Sequence, residues 1–172
     1  MSIVDFLKVK LSDVRLQANF DITQIQVLYG NNKFKVRTPI LTLPFGIDSV
    51  KDAYYGKLEF SNHTNDSEVM DFFNLMKGCE KFISDYILTI DKDAIIQSNL
   101  VEKEGFSPEM IIKLIQFKGK ITTKIMDKTS KYLTFMDIKK KSKVKCVLLL
   151  DGIWKVNGKY CYKWKAQEIL IV

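Results

Sequence analysis

"VLLLDGIWKVNGKYCYKWKAQEILIV", residues Val147–Val172, decides the fold. At its centre lies Asn157-Gly158, the strongest short hairpin signal in the chain, because a type I′ turn needs positive φ at both central residues. The flanking runs are rich in β-branched and aromatic residues and read as two long strands folded back on each other. A two-residue loop also fixes the register. It sets Lys155 opposite Tyr160, Trp154 opposite Cys161 and Ile153 opposite Tyr162. Strand side chains alternate between faces, so Tyr160, Tyr162 and Trp164 share one face while Lys163 and Lys165 share the other. The tryptophans, Trp154 and Trp164, then face different ways, and at least one belongs to a core.

The rest of the chain carries the same extended signature. "VRLQANFDITQIQVLYG" precedes a turn at Gly30-Asn31-Asn32, and in "NNKFKVRTPILTL" Phe34, Val36 and Thr38 alternate with Lys33, Lys35 and Arg37. That spacing gives a strand with one apolar and one basic face. "LPFGIDS" breaks the run at Pro44 and Gly46, and "GKLEFSN" is a further short strand. "SPEMIIKLIQFKGKITTKIMD" reads as two strands around a Lys118-Gly119 turn, and "KYLTFMDI" as another. One helix stands apart: from Ser67 to about Leu88, Val69, Phe72, Phe73, Met76, Cys79, Ile83, Tyr86 and Ile87 recur at helical spacing. Asn65 and Glu68 are placed for a capping box at its start. Several strands, one long helix and no βαβ rhythm give a mainly β, α+β fold: an antiparallel barrel with a helix packed on it. Among such designs the OB-like barrel is the common polyanion binder.

The 172 residues suit a single domain, 1–172, and 47% apolar residues suffice for its core. No apolar run approaches the ~20 residues of a membrane helix, and "MSIVDFLKVKLSD" alternates too early for a secretion signal. An intracellular protein without membrane contact is expected. Cys79, Cys146 and Cys161 show no metal or redox spacing and read as small buried hydrophobes in a reducing compartment. The sequons at Asn62 and Asn65 read as chance occurrences in a polar turn.

Catalytic patterns are missing. His63 is the only histidine, in the polar turn "SNHTND"; neither GxxxxGK[ST] nor GxGxxG occurs, and the counts leave no zinc set. Of the carboxylate groups that would suit Mg²⁺, Asp66/Glu68/Asp71 overlaps a helix start that favours acids anyway, and Asp91/Asp93 stands alone. The expectation is a non-enzymatic protein without metal or cofactor.

Charge points instead to binding. The formal net charge is +7, and residues 118–172 hold 14 lysines against Asp127, Asp137, Asp151 and Glu168. A basic face built from the C-terminal third suits a polyanion partner. Single-strand binders join such a face to aromatic platforms, since every nucleotide has a charge and every base a π-face. The candidate stacking residues are Tyr160, Tyr162, Trp164 and Trp154. The candidate phosphate contacts are Lys155, Lys163, Lys165, the run Lys139, Lys140, Lys141 and Lys143, and the strand residues Lys33, Lys35 and Arg37.

Two motifs carry a family resemblance: Pro44-Phe45-Gly46 after the early strands, and Gly152-Ile153-Trp154, Asn157 and Trp164-Lys165 through Gln167 in the closing run. With the order of segments, they make the chain resemble the single-stranded DNA-binding proteins shared by short-tailed phages and the large nucleocytoplasmic DNA viruses. The resemblance implies an OB-fold protein that coats single strands without strong sequence preference in viral DNA replication or recombination. It also implies a homodimer, replication-protein partners, and a location in the host cytoplasm or nucleus. The phage members end in an acidic tail that recruits polymerase, whereas the residues here end "EILIV". Two other readings share the composition: an RNA-binding or transcription-associated module, and a virion or scaffold protein with a basic face.

Overall fold

Alternation builds the sheet, which the computed structural model describes for residues 2–172. β1 (Val14–Ala18), β2 (Gln24–Tyr29) and β3 (Asn32–Arg37) form an antiparallel meander. In β3, Phe34 and Val36 are buried and Lys33 and Arg37 exposed, as the spacing requires, but Lys35, expected on the exposed basic face, is also buried, at 7% exposure, where β3 pairs with β9. Pro39 has no N–H for the ladder and interrupts the strand, which resumes as β4 (Leu41–Leu43). Thr38 bridges the gap: its N–H donates to the Cys146 carbonyl at 2.9 Å, and its Oγ1 accepts from the Cys146 N–H at 3.0 Å. β5 (Ile47–Val50) and β6 (Ala53–Glu59) make the next hairpin.

After the helix come β7 (Glu109–Leu114), β8 (Lys124–Asp127), β9 (Ser142–Leu150), β10 (Gly152–Val156), β11 (Lys159–Tyr162) and β12 (Trp164–Ile171). Five strands close a barrel. Around the ring β4 pairs with β6, β6 with β7, β7 with β12, β12 with β9, and β9 with β4. Only the β7–β12 contact is parallel. The architecture is the mainly β, OB-like barrel with one long helix that the sequence patterns require.

The C-terminal run departs from two long strands. It breaks at Asp151 and Lys163, leaving β9 and β12 in the barrel while β10 and β11 project as a hairpin that pairs with β2. Closure is the reason: β12 must turn toward β7, whereas the hairpin continues onto β2, and the chain bends where those demands part. The turn and register are as read, with Asn157 at φ 50°, Gly158 at φ 76° and Trp154 opposite Cys161. "KYLTFMDI" is also less regular than expected. Tyr132–Leu133 pairs with β8, and Phe135–Asp137 is a 3-10 turn in which Asp137 accepts from the Thr134 N–H at 2.8 Å.

α1 (Ser67–Ile90) buries Val69, Phe72, Phe73, Met76, Cys79, Ile83 and Ile87. Its N-cap is Asp66, not Asn65. Asp66 Oδ1 accepts from the Val69 N–H at 3.2 Å, while the Asn65 amide donates to Asn62 Oδ1 at 3.1 Å, so no box with Glu68 forms. Ring contacts of Phe60 with Phe73 (5.0 Å) and Phe6 with Phe72 (5.8 Å) seat the helix on the barrel. Glu80 accepts from the N–H groups of Asn99 (2.7 Å) and Leu100 (3.2 Å) and so fixes the chain returning to β7. His63 is half-buried, not fully exposed, with its ring edge-on to Phe73 at 5.5 Å. No helix among the described residues is long and apolar enough to cross a membrane.

Candidate nucleic-acid interface

Barrel closure turns strand parity into a surface. Gly56, Ile112, Trp164 and Leu148 are fully or almost fully buried, so their neighbours along each strand point outward. One cross-strand row on that outer face runs Tyr55–Lys113–Lys165–Leu149–Lys35, through β6, β7, β12, β9 and β3; its first three members are half-buried and its last two, Leu149 and Lys35, are covered. Neighbouring strands lie about 4.8 Å apart, so the row spans roughly 19 Å. A second row begins Lys57–Ile111 and reaches Lys163, which precedes the Trp164 partner of Ile112.

Aromatic rings flank these rows. Phe45 is 55% exposed, Phe106 75% and Phe117 66%. Phe45 stands between two grooves, one of about 220 Å³ shared with Val101, Lys103 and Phe106, the other of about 370 Å³ shared with Tyr55, Ile111 and Lys163. Its position is set by Gly46, at φ +73°, where a Cβ would come within 3.0 Å of the Ile138 carbonyl oxygen. Four rings have a lysine near: Lys57 Nζ lies 5.9 Å from the Phe45 centroid, Lys113 6.0 Å from Tyr55, Lys118 5.4 Å from Phe117 and Lys165 5.4 Å from Trp154. Beyond Lys165 a groove of about 460 Å³ gathers Lys33, Lys35, Lys124, Asp151 and Gln167. Two ion pairs temper the charge, Lys57–Glu109 at 3.4 Å and Lys165–Asp151 at 3.1 Å. Lys33, Lys35, Lys113, Lys124 and Lys163 make no ion pair among the described residues.

The residues singled out in the sequence separate into groups. Tyr160, Tyr162 and Trp164 are 1%, 3% and 2% exposed; they are core, and the stacking role expected of them is corrected accordingly. Their shared face is the inward one. Burial also pushes the Tyr162 hydroxyl well above its usual range. Trp154 stays partly exposed, its ring lying over Gly152, where a Cβ would come within 2.8 Å of it. Lys155 is tied elsewhere: Nζ pairs with Asp91 at 2.9 Å beside the Tyr160 hydroxyl, which donates to the same carboxylate oxygen at 3.0 Å. Lys33, Lys35, Lys163 and Lys165 come together in the two rows and the groove beyond them. Arg37 is exposed two residues beyond Lys35, opposite Val147.

Lys139, Lys140 and Lys141 form an exposed turn whose backbone lies against Gly46, with the Lys141 N–H donating to the Leu43 carbonyl at 2.9 Å. Lys143 donates to Thr42 Oγ1 at 2.7 Å. Sequence reasoning missed Phe45, Tyr55, Lys57, Phe106, Lys113, Phe117 and Lys124 as site residues. Parity in "AYYGKLE" and "EMIIKL" pairs Tyr55 with Lys57 and Ile111 with Lys113, but only closure shows which parity faces out.

No family model and no curated protein matches this chain. Solved structures do. The single-stranded DNA-binding protein gp2.5 encoded by bacteriophage T7 superposes at TM-score 0.52 with 13% identity, over 80% of this chain and 91% of that one. The single-stranded DNA-binding protein of bacteriophage Enc34, in its complex with single-stranded DNA, superposes at TM-score 0.53 with 10% identity, over 86% and 89%. The same Enc34 protein without DNA gives TM-score 0.52 and 9% identity, over 91% and 89%. The fold is that of the phage single-stranded DNA-binding proteins.

Proposed function

We propose that this chain binds single-stranded DNA along the outer face of β6, β7 and β12, as a coat for exposed strands and without catalysis. One observation carries the reading: rows of lysines cross the strands and are bordered by the half-exposed ring of Tyr55 and the exposed ring of Phe45, so phosphates and bases find partners side by side. Stacking on such rings tolerates any base, at about 1–3 kcal/mol each, and each neutralised phosphate releases counterions. The turn Lys139–Lys141, close to Phe45, extends the basic border. The Enc34 neighbour, solved with single-stranded DNA, supports the choice of ligand. A place in viral DNA replication follows from the family resemblance.

The test is a titration with a fluorescent single-stranded oligonucleotide at two salt concentrations, beside an RNA of equal length. Tight binding at low salt that weakens steeply at higher salt, with DNA at least equal to RNA, is the expected result. A flat salt response counts against the basic face, and a clear RNA preference shifts the assignment to RNA. A stable oligomer that binds neither would favour a scaffold role.

A further inference from the structure

We propose that the groove around Asp151 reads the hydrogen-bond-donor edge of a nucleobase, guanine before the others, and so gives the interface a base preference; this rests on the single-strand reading above. Two acceptors in that groove have nothing to accept from. Asp151 Oδ1 and Gln167 Oε1 are both buried and unpartnered, and both line the 460 Å³ groove. Buried acceptors are nearly always satisfied, so two orphans in one open groove mark the place of a donor that arrives with a ligand.

The surroundings match the other parts of a nucleotide. Lys33 and Lys124 stand exposed around the same groove and suit a phosphate, with Lys35 buried beneath its rim. Trp154 shares an adjoining groove of about 490 Å³ with Asp151 and Lys33, and offers a ring face. The second Asp151 oxygen is held by Lys165 Nζ at 3.1 Å, which fixes the carboxylate while Oδ1 stays without a partner. The row Tyr55–Lys113–Lys165 leads straight into the groove, so a strand lying along the barrel face reaches it.

Donor geometry then selects among bases. Guanine presents N1–H and its exocyclic amine side by side, a pair that suits two acceptors. Cytosine and adenine present an amine beside a ring acceptor. Thymine presents one N–H between two carbonyl oxygens, which would face the acceptors of the site. The ribose 2′-hydroxyl is the other donor of this kind on a nucleic acid.

The experiment is a competition on the full chain at fixed salt. A labelled oligothymidylate is displaced by strands of equal length carrying one guanine, one hypoxanthine (which lacks the amine) or one uridine ribonucleotide. The guanine strand is expected to compete roughly fivefold or more better than all-thymine DNA, with hypoxanthine between. Asp151→Asn should bring the guanine-to-thymine ratio to about one; that ratio, not the all-thymine affinity, is the readout, because Asp151 also holds Lys165 of the binding row. Equal competition by guanine, hypoxanthine and thymine overturns the inference. So does an Asp151→Asn effect that scales every strand alike, or an advantage that follows the ribose hydroxyl. Failure to bind any strand at low salt would overturn the single-strand reading itself. Should Asp151→Asn not fold, the guanine-to-thymine ratio of the unaltered protein decides alone.

Discussion

Phe45 and Trp164 are both aromatic residues with lysines beside them, Lys57 near Phe45 in space and Lys163 and Lys165 flanking Trp164 in the sequence, yet they do opposite work. Trp164 is 2% exposed and edge-on to Phe34 at 5.5 Å, so Trp164→Ala should cost about 3–5 kcal/mol of stability. Phe45→Ala removes a ring that is 55% exposed. It should leave the thermal midpoint nearly unchanged and weaken oligonucleotide binding about tenfold, within the ~1–3 kcal/mol of one stacked base. A Phe45→Ala protein that binds normally would remove Phe45 from the interface. The cysteines divide in the same way. Burial pushes the thiols of Cys79 and Cys146 up to about 12, whereas Cys161 is partly exposed on the hairpin. A thiol-alkylating reagent near pH 8 should therefore modify one site in the native protein, Cys161, and all three after denaturation; mass spectrometry of the intact chain reads the count.

At the scale of elements, the hairpin β10–β11 is joined to the end of α1 by a single carboxylate. Asp91 accepts from Lys155 Nζ and from the Tyr160 hydroxyl, and these bonds, Lys155 first, hold its carboxyl below the usual 3.8. The unfolded chain takes up that proton more readily, so the bond favours folding above the ordinary carboxylate range. The contribution is lost as pH falls below about 4. Asp127 and Asp137 shift the same way, through hydrogen bonds from Thr129 and Thr134. Asp91→Asn should thus show a smaller drop in thermal midpoint between pH 7 and about pH 3 than the unaltered chain; equal drops would mean the link adds nothing. The hairpin and the helix were legible in the sequence because their determinants are local: an Asn-Gly turn fixes a register, and apolar spacing fixes a helical face. The breaks at Asp151 and Lys163 were not, since they arise where the strand must serve both the barrel and β2. For the same reason parity correctly put Lys163 and Lys165 on the face opposite Tyr160, Tyr162 and Trp164, but could not say which face was outside. Phe45 was visible only as part of Pro44-Phe45-Gly46; its exposure comes from the contact of Gly46 with the distant Ile138.

Over the whole molecule, the +7 charge is less informative than its placement. Closing the barrel carries Lys163 and Lys165 of the lysine-rich C-terminal third beside Lys57 and Lys113 of an acidic first part, and Lys33 and Lys35 beside Lys124. A strand that engages about four to six of these ammonium groups should give log affinity falling against log salt with slope of about −3 to −4, since each phosphate in single-stranded DNA contributes about −0.7. Lys113 lies in the long row between Tyr55 and Lys165, without an acidic partner among the described residues. Lys113→Ala should therefore reduce the slope by about 0.7 and weaken binding to all sequences alike. Lys81, on α1 and paired with Asp85 at 2.7 Å, has the same charge but lies outside these grooves. If net charge alone drove binding, Lys81→Ala would move the slope as much as Lys113→Ala. If the barrel face is the track, only Lys113→Ala changes it, and equal effects from the two would falsify the assignment of the face.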